Sequence, residues 1–223
     1  MHLTHRYAAP LAMVALVALA GGCSSQDAWA APHASPVAVG TLGPGFVGST
    51  RTPAPEGTIT PVPGSWDGVR PPAGYRVVLL VGDSDDATTT EADAVRSWAT
   101  AQDASLRTIT VTDPNGYVDG IVDALKLQPD LVVGVGNDLM PPLALVSASN
   151  LQQQFLTVGA QIAEPTANVT AAVWDDASLK SEGVGLGSSF DPAAVTPERA
   201  ESAVRAGVAS ILSGWTGIIV WLS

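Results

Sequence analysis

Short apolar runs and amphipathic stretches alternate along the chain from residue 75 onward. Arg76-Val-Val-Leu-Leu-Val-Gly82 is a continuous apolar run closed by glycine, the pattern of a parallel strand buried on both faces. Glu91 to Gln102 sets Val95, Trp98 and Ala99 at helical spacing and predicts a helix. Leu106 to Thr112 alternates apolar and polar residues, which suits a strand nearer the sheet edge. Tyr117 to Leu127 predicts a second helix with Val118, Ile121, Val122 and Leu125 on one face. Leu131 to Val135 reads as the third strand. Pro141 and Pro142 fit the first turn of a helix running to about Leu151. Gln154 to Ala160 and Val169 to Trp174 read as strands four and five. Thr196 as N-cap, Pro197 at the first helical position and Glu198 in the first turn open a helix to about Gly214. Gly217 to Leu222 supplies the sixth strand.

This alternation predicts a three-layer, doubly wound α/β domain over residues 75–223, with a mostly parallel six-stranded sheet. Right-handed crossovers give the strand order 2-1-3-4-5-6, counted along the chain. The residues before it have another character. His2, His5 and Arg6 precede an apolar core from Ala8 to Ala20 that ends in small residues. That is the layout of a secretory signal, too short for a spanning helix. Leu19-Ala-Gly-Gly-Cys23 follows, with the chain's one cysteine, and resembles the lipobox of bacterial lipoproteins. The resemblance implies that residues 1–22 are removed and that Cys23 is diacylated and holds the protein to the membrane. A second processing route is cleavage around Ala28-Trp29-Ala30, which would release the chain without lipid.

From Ser24 to about Ala73 the chain is rich in Pro, Gly, Ala, Ser and Thr. Nine of its 17 prolines fall between Pro32 and Pro72. Missing backbone donors and flexible glycines predict a tether, residues 23–74, with no persistent regular element. Trp66 either docks the end of this tether on the domain or sits solvated in a turn. Net charge is −11, and Lys126 and Lys180 are the only lysines. Phosphate-backbone binding needs cationic side chains, so nucleic acid is not an expected partner. The same acidity repels anionic headgroups, which leaves membrane attachment to the lipid.

In open parallel sheets ligands bind beyond the carboxyl ends of the strands. The expected strand ends carry Asp83-Ser-Asp-Asp86, Asp113-Pro-Asn115, Gly136-Asn137-Asp138 and Trp174-Asp175-Asp176. Each residue taken singly is also a common cap or turn former. Together, Asp83, Asp85, Asp86, Asn115, Asn137, Asp138 and Asp175 gathered around the Trp174 indole suit a small polar ligand.

Two stretches resemble enzyme motifs. Val81-Gly82-Asp83-Ser84 and Gly134-Val-Gly-Asn137-Asp138 resemble blocks of SGNH/GDSL-type hydrolases, which would make Ser84 the nucleophile and Asn137 an oxyanion donor. Val135 stands where that family has glycine. The histidine base of that family is also missing, since the only histidines are His2, His5 and His33. Asp83-x-Asp85 is similar to the nucleophile motif of haloacid-dehalogenase-type phosphatases, but neither lysine is convincingly placed. No Gly-rich phosphate loop follows the first strand, and the scarcity of His and Cys excludes ordinary zinc, copper and haem sites, leaving only carboxylate sites for Mg²⁺ or Ca²⁺. No cofactor is expected, and catalysis is not.

A third resemblance covers more of the chain. Pro129-Asp-Leu-Val-Val-Gly-Val-Gly136, Gln154-Phe-Leu-Thr-Val-Gly159, Asn168-Val-Thr-Ala-Ala-Val-Trp174 and Ser181-Glu-Gly183 resemble, in order and spacing, the basic membrane protein (BMP) family. It implies a lobe of the type I periplasmic-binding-protein fold and a non-catalytic substrate-binding lipoprotein. The implied partners are a small polar solute, such as a nucleoside or sugar, and an ABC importer permease. Only Asp85 and Asp86 carry over as ligand contacts, because Asp85-Asp86-Ala-Thr-Thr-Thr90 lacks the family's aromatic residue. One lobe cannot close around a solute, so dimerisation would have to supply the second wall. The competing expectations are a degenerate hydrolase and a protein-interaction module of the envelope.

Overall fold

The structure is a computed structural model that describes residues 29, 34–48, 56–162, 165–180 and 190–223. Its elements run β1 (Thr58–Ile59), β2 (Arg76–Val81), α1 (Asp86–Ala101), β3 (Ser105–Thr110), α2 (Tyr117–Lys126) and β4 (Leu131–Val135). After these come α3 (Met140–Ala148), β5 (Gln154–Val158), β6 (Ala160–Ile162), β7 (Val169–Trp174), β8 (Ser178–Lys180), α4 (Pro197–Leu212) and β9 (Ile219–Leu222). Cys23 and Ser181-Glu-Gly183 lie outside the described residues, as do all three histidines.

Seven strands form one parallel sheet in the order β1-β9-β7-β5-β4-β2-β3. The six long strands follow the expected order, and β3 lies at the edge where its alternating pattern put it. Side chains alternate between two cores, as the strand period requires. Val77, Leu79 and Val81 of β2 face the core shared with α1 and α4. Val78 and Leu80 face the core shared with α2 and α3. The helices therefore cover both faces, and β2, β4 and β7 are buried along their whole length.

Three differences from the sequence reading have physical causes. α1 begins at Asp86 rather than Glu91, because Asp85 caps it by accepting from the Thr88 N–H at 2.7 Å. α2 buries Tyr117, Gly120, Ile121 and Ala124, leaving Val118 and Val122 exposed. Small residues at 120 and 124 let this helix lie close, and a Cβ on Gly120 would clash with the Val111 side chain. Strand four stops at Val158. Gly159 turns at φ +69° into β6, which pairs with β8 in a small second sheet.

The tether expectation needs correction for the described residues 34–48 and 56–74. β1 adds a strand beside β9, with Thr58 opposite Ile219. Val39 and Arg70 form an antiparallel bridge, and the Gly43 N–H donates to the Ser65 carbonyl at 2.6 Å. Phe46 is 1% exposed within the main core, together with Ile59 and Trp66. Asp67 pairs with Arg205 of α4. Prolines exclude long helices and strands here, yet a few apolar side chains suffice to hold an irregular chain against the domain.

Candidate functional site

The loops after β2, β3 and β4 meet at the carboxyl ends of the sheet. The strand order reverses at β2, which has β3 on one side and β4 on the other, so this is the topological switch point where open α/β sheets bind ligands. The Gly82 N–H donates to the Val135 carbonyl at 3.0 Å, and the Val111 N–H donates to the Val81 carbonyl at 2.9 Å. These bonds bring Asp83 and Ser84, Asp113 and Asn115, and Asn137 and Asp138 together.

The base of the crevice is filled. A Cβ on Gly82 would lie 2.8 Å from Leu139, and one on Gly136 would lie 3.2 Å from the Asp83 nitrogen. Gly136, at φ +95°, is thus required by both its backbone angle and the close approach. A ligand at this end would rest on the exposed tips.

Several rim acids already shape the loops. The Asp83 carboxylate accepts from the Ser84 N–H at 2.6 Å, and Asp85 caps α1. Asp113 accepts from both the backbone N–H and the side-chain amide of Asn115, each at 3.0 Å. Asn137 and Asp138 open a short 3-10 turn that leads into α3. Ser84, Asp86, Asn115, Asp138 and Asp175 are exposed, while Asp83 and Asn137 are half-buried.

Trp174 departs from expectation. Its ring is 2% exposed and belongs to the core, so it offers no stacking surface. It ends a strand buried on both faces, and the chain leaves the sheet only at Asp175. The indole N–H has no hydrogen-bond partner among the described residues. Ser84 and Asn137 do occupy neighbouring loops, as the hydrolase resemblance implies, but no histidine follows His33 to serve as base. Among the described residues no group of three or more metal-ligating side chains is present.

Two residues of this region escaped the sequence reading. The Tyr117 hydroxyl donates to the Gly82 carbonyl at 2.8 Å and so ties α2 to the crevice. Desolvation raises its pKa, and the carboxylates of Asp138, Asp83 and Asp113 raise it further. Glu91 lies deeper, on the buried face of α1, and is 4% exposed. Its carboxyl accepts from the Gly136 N–H and abuts Gly159, where an added Cβ would collide with Oε1. Burial pushes its pKa up to about 8; the Gly136 bond opposes this and the Asp85 charge adds to it. Glu91 therefore joins the ends of β4 and β5 as a neutral acid at pH 7. Its place between Thr90 and Ala92 on the inward helix face was the available signal.

A cavity of about 830 Å³ opens at the opposite end of the sheet, bounded by Ser35, Arg76, Gln128, Asp130, Asn150 and Gln154. Apart from Ser35, these residues sit at the amino ends of strands and in the turns before them, away from the switch point.

No family model matches the chain, and no curated protein matches it. Solved structures do. An ABC transporter solute-binding protein from Aeropyrum pernix K1 is 19% identical over 47% of this chain and 29% of its own, with a TM-score of 0.40. A periplasmic ribose ABC transporter protein from Conexibacter woesei DSM 14684 is 18% identical over 68% and 54%, at 0.39. A transcriptional activator of the comK gene from Bacillus halodurans is 13% identical over 66% and 53%, at 0.39. These likenesses are distant and partial, and the parallel sheet flanked by helices stands on the strand pairing itself. The chain spans less than two thirds of the length of each of these three proteins.

Proposed function

We propose that this chain is a non-catalytic, lipid-anchored protein of the extracytoplasmic membrane face, of the BMP-like solute-binding kind, taking a small polar solute such as a nucleoside or sugar at its rim. One observation carries this reading. Exposed acceptors from three adjacent loops (Ser84, Asp86, Asn115 and Asp138) stand over the switch point of a doubly wound sheet. Such groups satisfy hydroxyls and amides, and the filled crevice beneath them favours surface contact over burial. The absence of a histidine base argues against the hydrolase alternative. Residues 1–22 serve as the signal and Cys23 carries the acyl chains. An importer permease is the partner that the BMP resemblance brings.

Thermal denaturation in the presence of nucleosides, sugars and divalent cations tests it. One solute is expected to raise the midpoint by a few degrees, with the rise lost in Asp86→Ala and Asp138→Ala. No shift with any member of the panel, or an equal shift in both variants, contradicts the reading.

A further inference from the structure

Trp29 lies six residues beyond Cys23, within the stretch expected to be an unattached tether. It is instead 7% exposed and part of the core beneath α2 and α3. Its indole N–H donates to the Ser105 hydroxyl at 2.6 Å. The Arg76 guanidinium donates to the Trp29 carbonyl at 3.2 Å. The Arg107 guanidinium lies 4.6 Å from the ring centroid and that of Arg76 5.9 Å, both within cation–π range. Ring, N–H and backbone carbonyl are thus all engaged.

The partners share a location. Arg76 and Ser105 are the first residues of β2 and β3, at the foot of the sheet, and Arg107 is two positions further along β3. The polar rim lies at the other ends of the same strands. A six-residue strand rises about 20 Å, so the Trp29 slot and the rim are separated by about that distance along the sheet. Six residues from Cys23 to Trp29 reach about 20 Å at full extension.

We infer that Trp29 is a peg that fixes the membrane-proximal chain to the foot of the sheet, which holds the acyl anchor within about 20 Å of that end and turns the foot toward the bilayer. This rests on the lipid-anchor reading of Cys23. The foot then faces the bilayer and the rim faces outward. What binds the rim arrives from the solvent side, and a permease in the same bilayer meets the foot. The peg also assigns the processing site: cleavage after Ala30 would remove a residue that the domain buries, so the mature chain retains Trp29.

The test uses the full chain bound to phosphatidylcholine vesicles that carry a lipid-borne quencher. A fluorophore is placed at the foot through Ser149→Cys or near the rim through Thr112→Cys. The foot label is expected to be quenched more strongly than the rim label. That contrast should shrink in Trp29→Ala and largely persist in Trp29→Phe, which keeps the ring. Equal quenching at both sites, or an unchanged contrast in Trp29→Ala, overturns the orientation. Cys23→Ala should abolish vesicle binding; if binding persists, the anchor reading fails by itself. Amide exchange in the full chain then judges the peg without reference to any membrane. Exchange at Ser105 to Arg107 should quicken by roughly tenfold in Trp29→Ala, and an unchanged rate would overturn the peg.

Discussion

Glu91 shows most sharply how burial sets chemistry at a single residue. The carboxyl has an ordinary pKa of 4.5 in solution and about 8 in the fold. Between these values the unfolded chain gives up the proton while the native state keeps it. Its contribution to stability is therefore complete below about pH 4.5, falls as pH rises through about 8, and stays low above that. Glu91→Gln keeps the shape and removes the titration. The variant is expected to match the wild type near pH 4 and to exceed it at pH 9 by on the order of 4 kcal/mol in urea denaturation. Equal stabilities of the two proteins at pH 9 would refute a neutral, buried Glu91. Residue types at the rim were legible in the sequence, because Asp, Asn and Ser at strand ends announce themselves by position. Their accessibility was not. Trp174 turned inward and Glu91 filled the space behind Gly136 and Gly159, and both depend on packing between distant segments.

At the scale of elements, the strands were easy to read because β2, β4 and β7 are buried on both faces and need unbroken apolar sequence. Helix α4 was equally plain, since Thr196 caps it by accepting from the Arg199 N–H and Pro197 opens it. The N-terminal segment was harder. Among its described residues the longest regular element is the two-residue β1, but composition says nothing of isolated anchors such as Phe46, Ile59 and Trp66. Ile59 and Trp66 are lone apolar residues and Phe46 has only Val47 beside it, so no periodicity marks them, and of the three only Trp66 offered docking as one of two readings. If this segment is part of the domain, Phe46→Ala should destabilise the fold by about 3–5 kcal/mol, the usual cost of removing a buried phenyl ring. Thermal or urea denaturation measures it. A loss under 1 kcal/mol would restore the picture of a free tether.

The whole molecule is a sheet with two unlike ends. At the carboxyl end, loops from β2, β3 and β4 present exposed acceptors over a filled crevice. At the amino end, Arg76, Ser105 and Arg107 hold Trp29 beside a cavity of about 830 Å³. Sequence pattern predicted the strand order, which fixes where the rim must be, because crossover handedness leaves few alternatives. It could not reveal the foot, which forms only when a residue from the leader side meets two arginines from separate strands. The acidic net charge belongs to this scale as well, keeping anionic surfaces away from a rim that already gathers carboxylates.

Backbone chemical-shift mapping with the solute that emerges from the thermal screen tests the central claim most directly. The account predicts shifts confined to Ser84 to Asp86, Asp113 to Asn115, and Asn137 and Asp138, with the foot residues Arg76, Gln128 and Asn150 unmoved. Shifts centred on the foot cavity, with a silent rim, would contradict it.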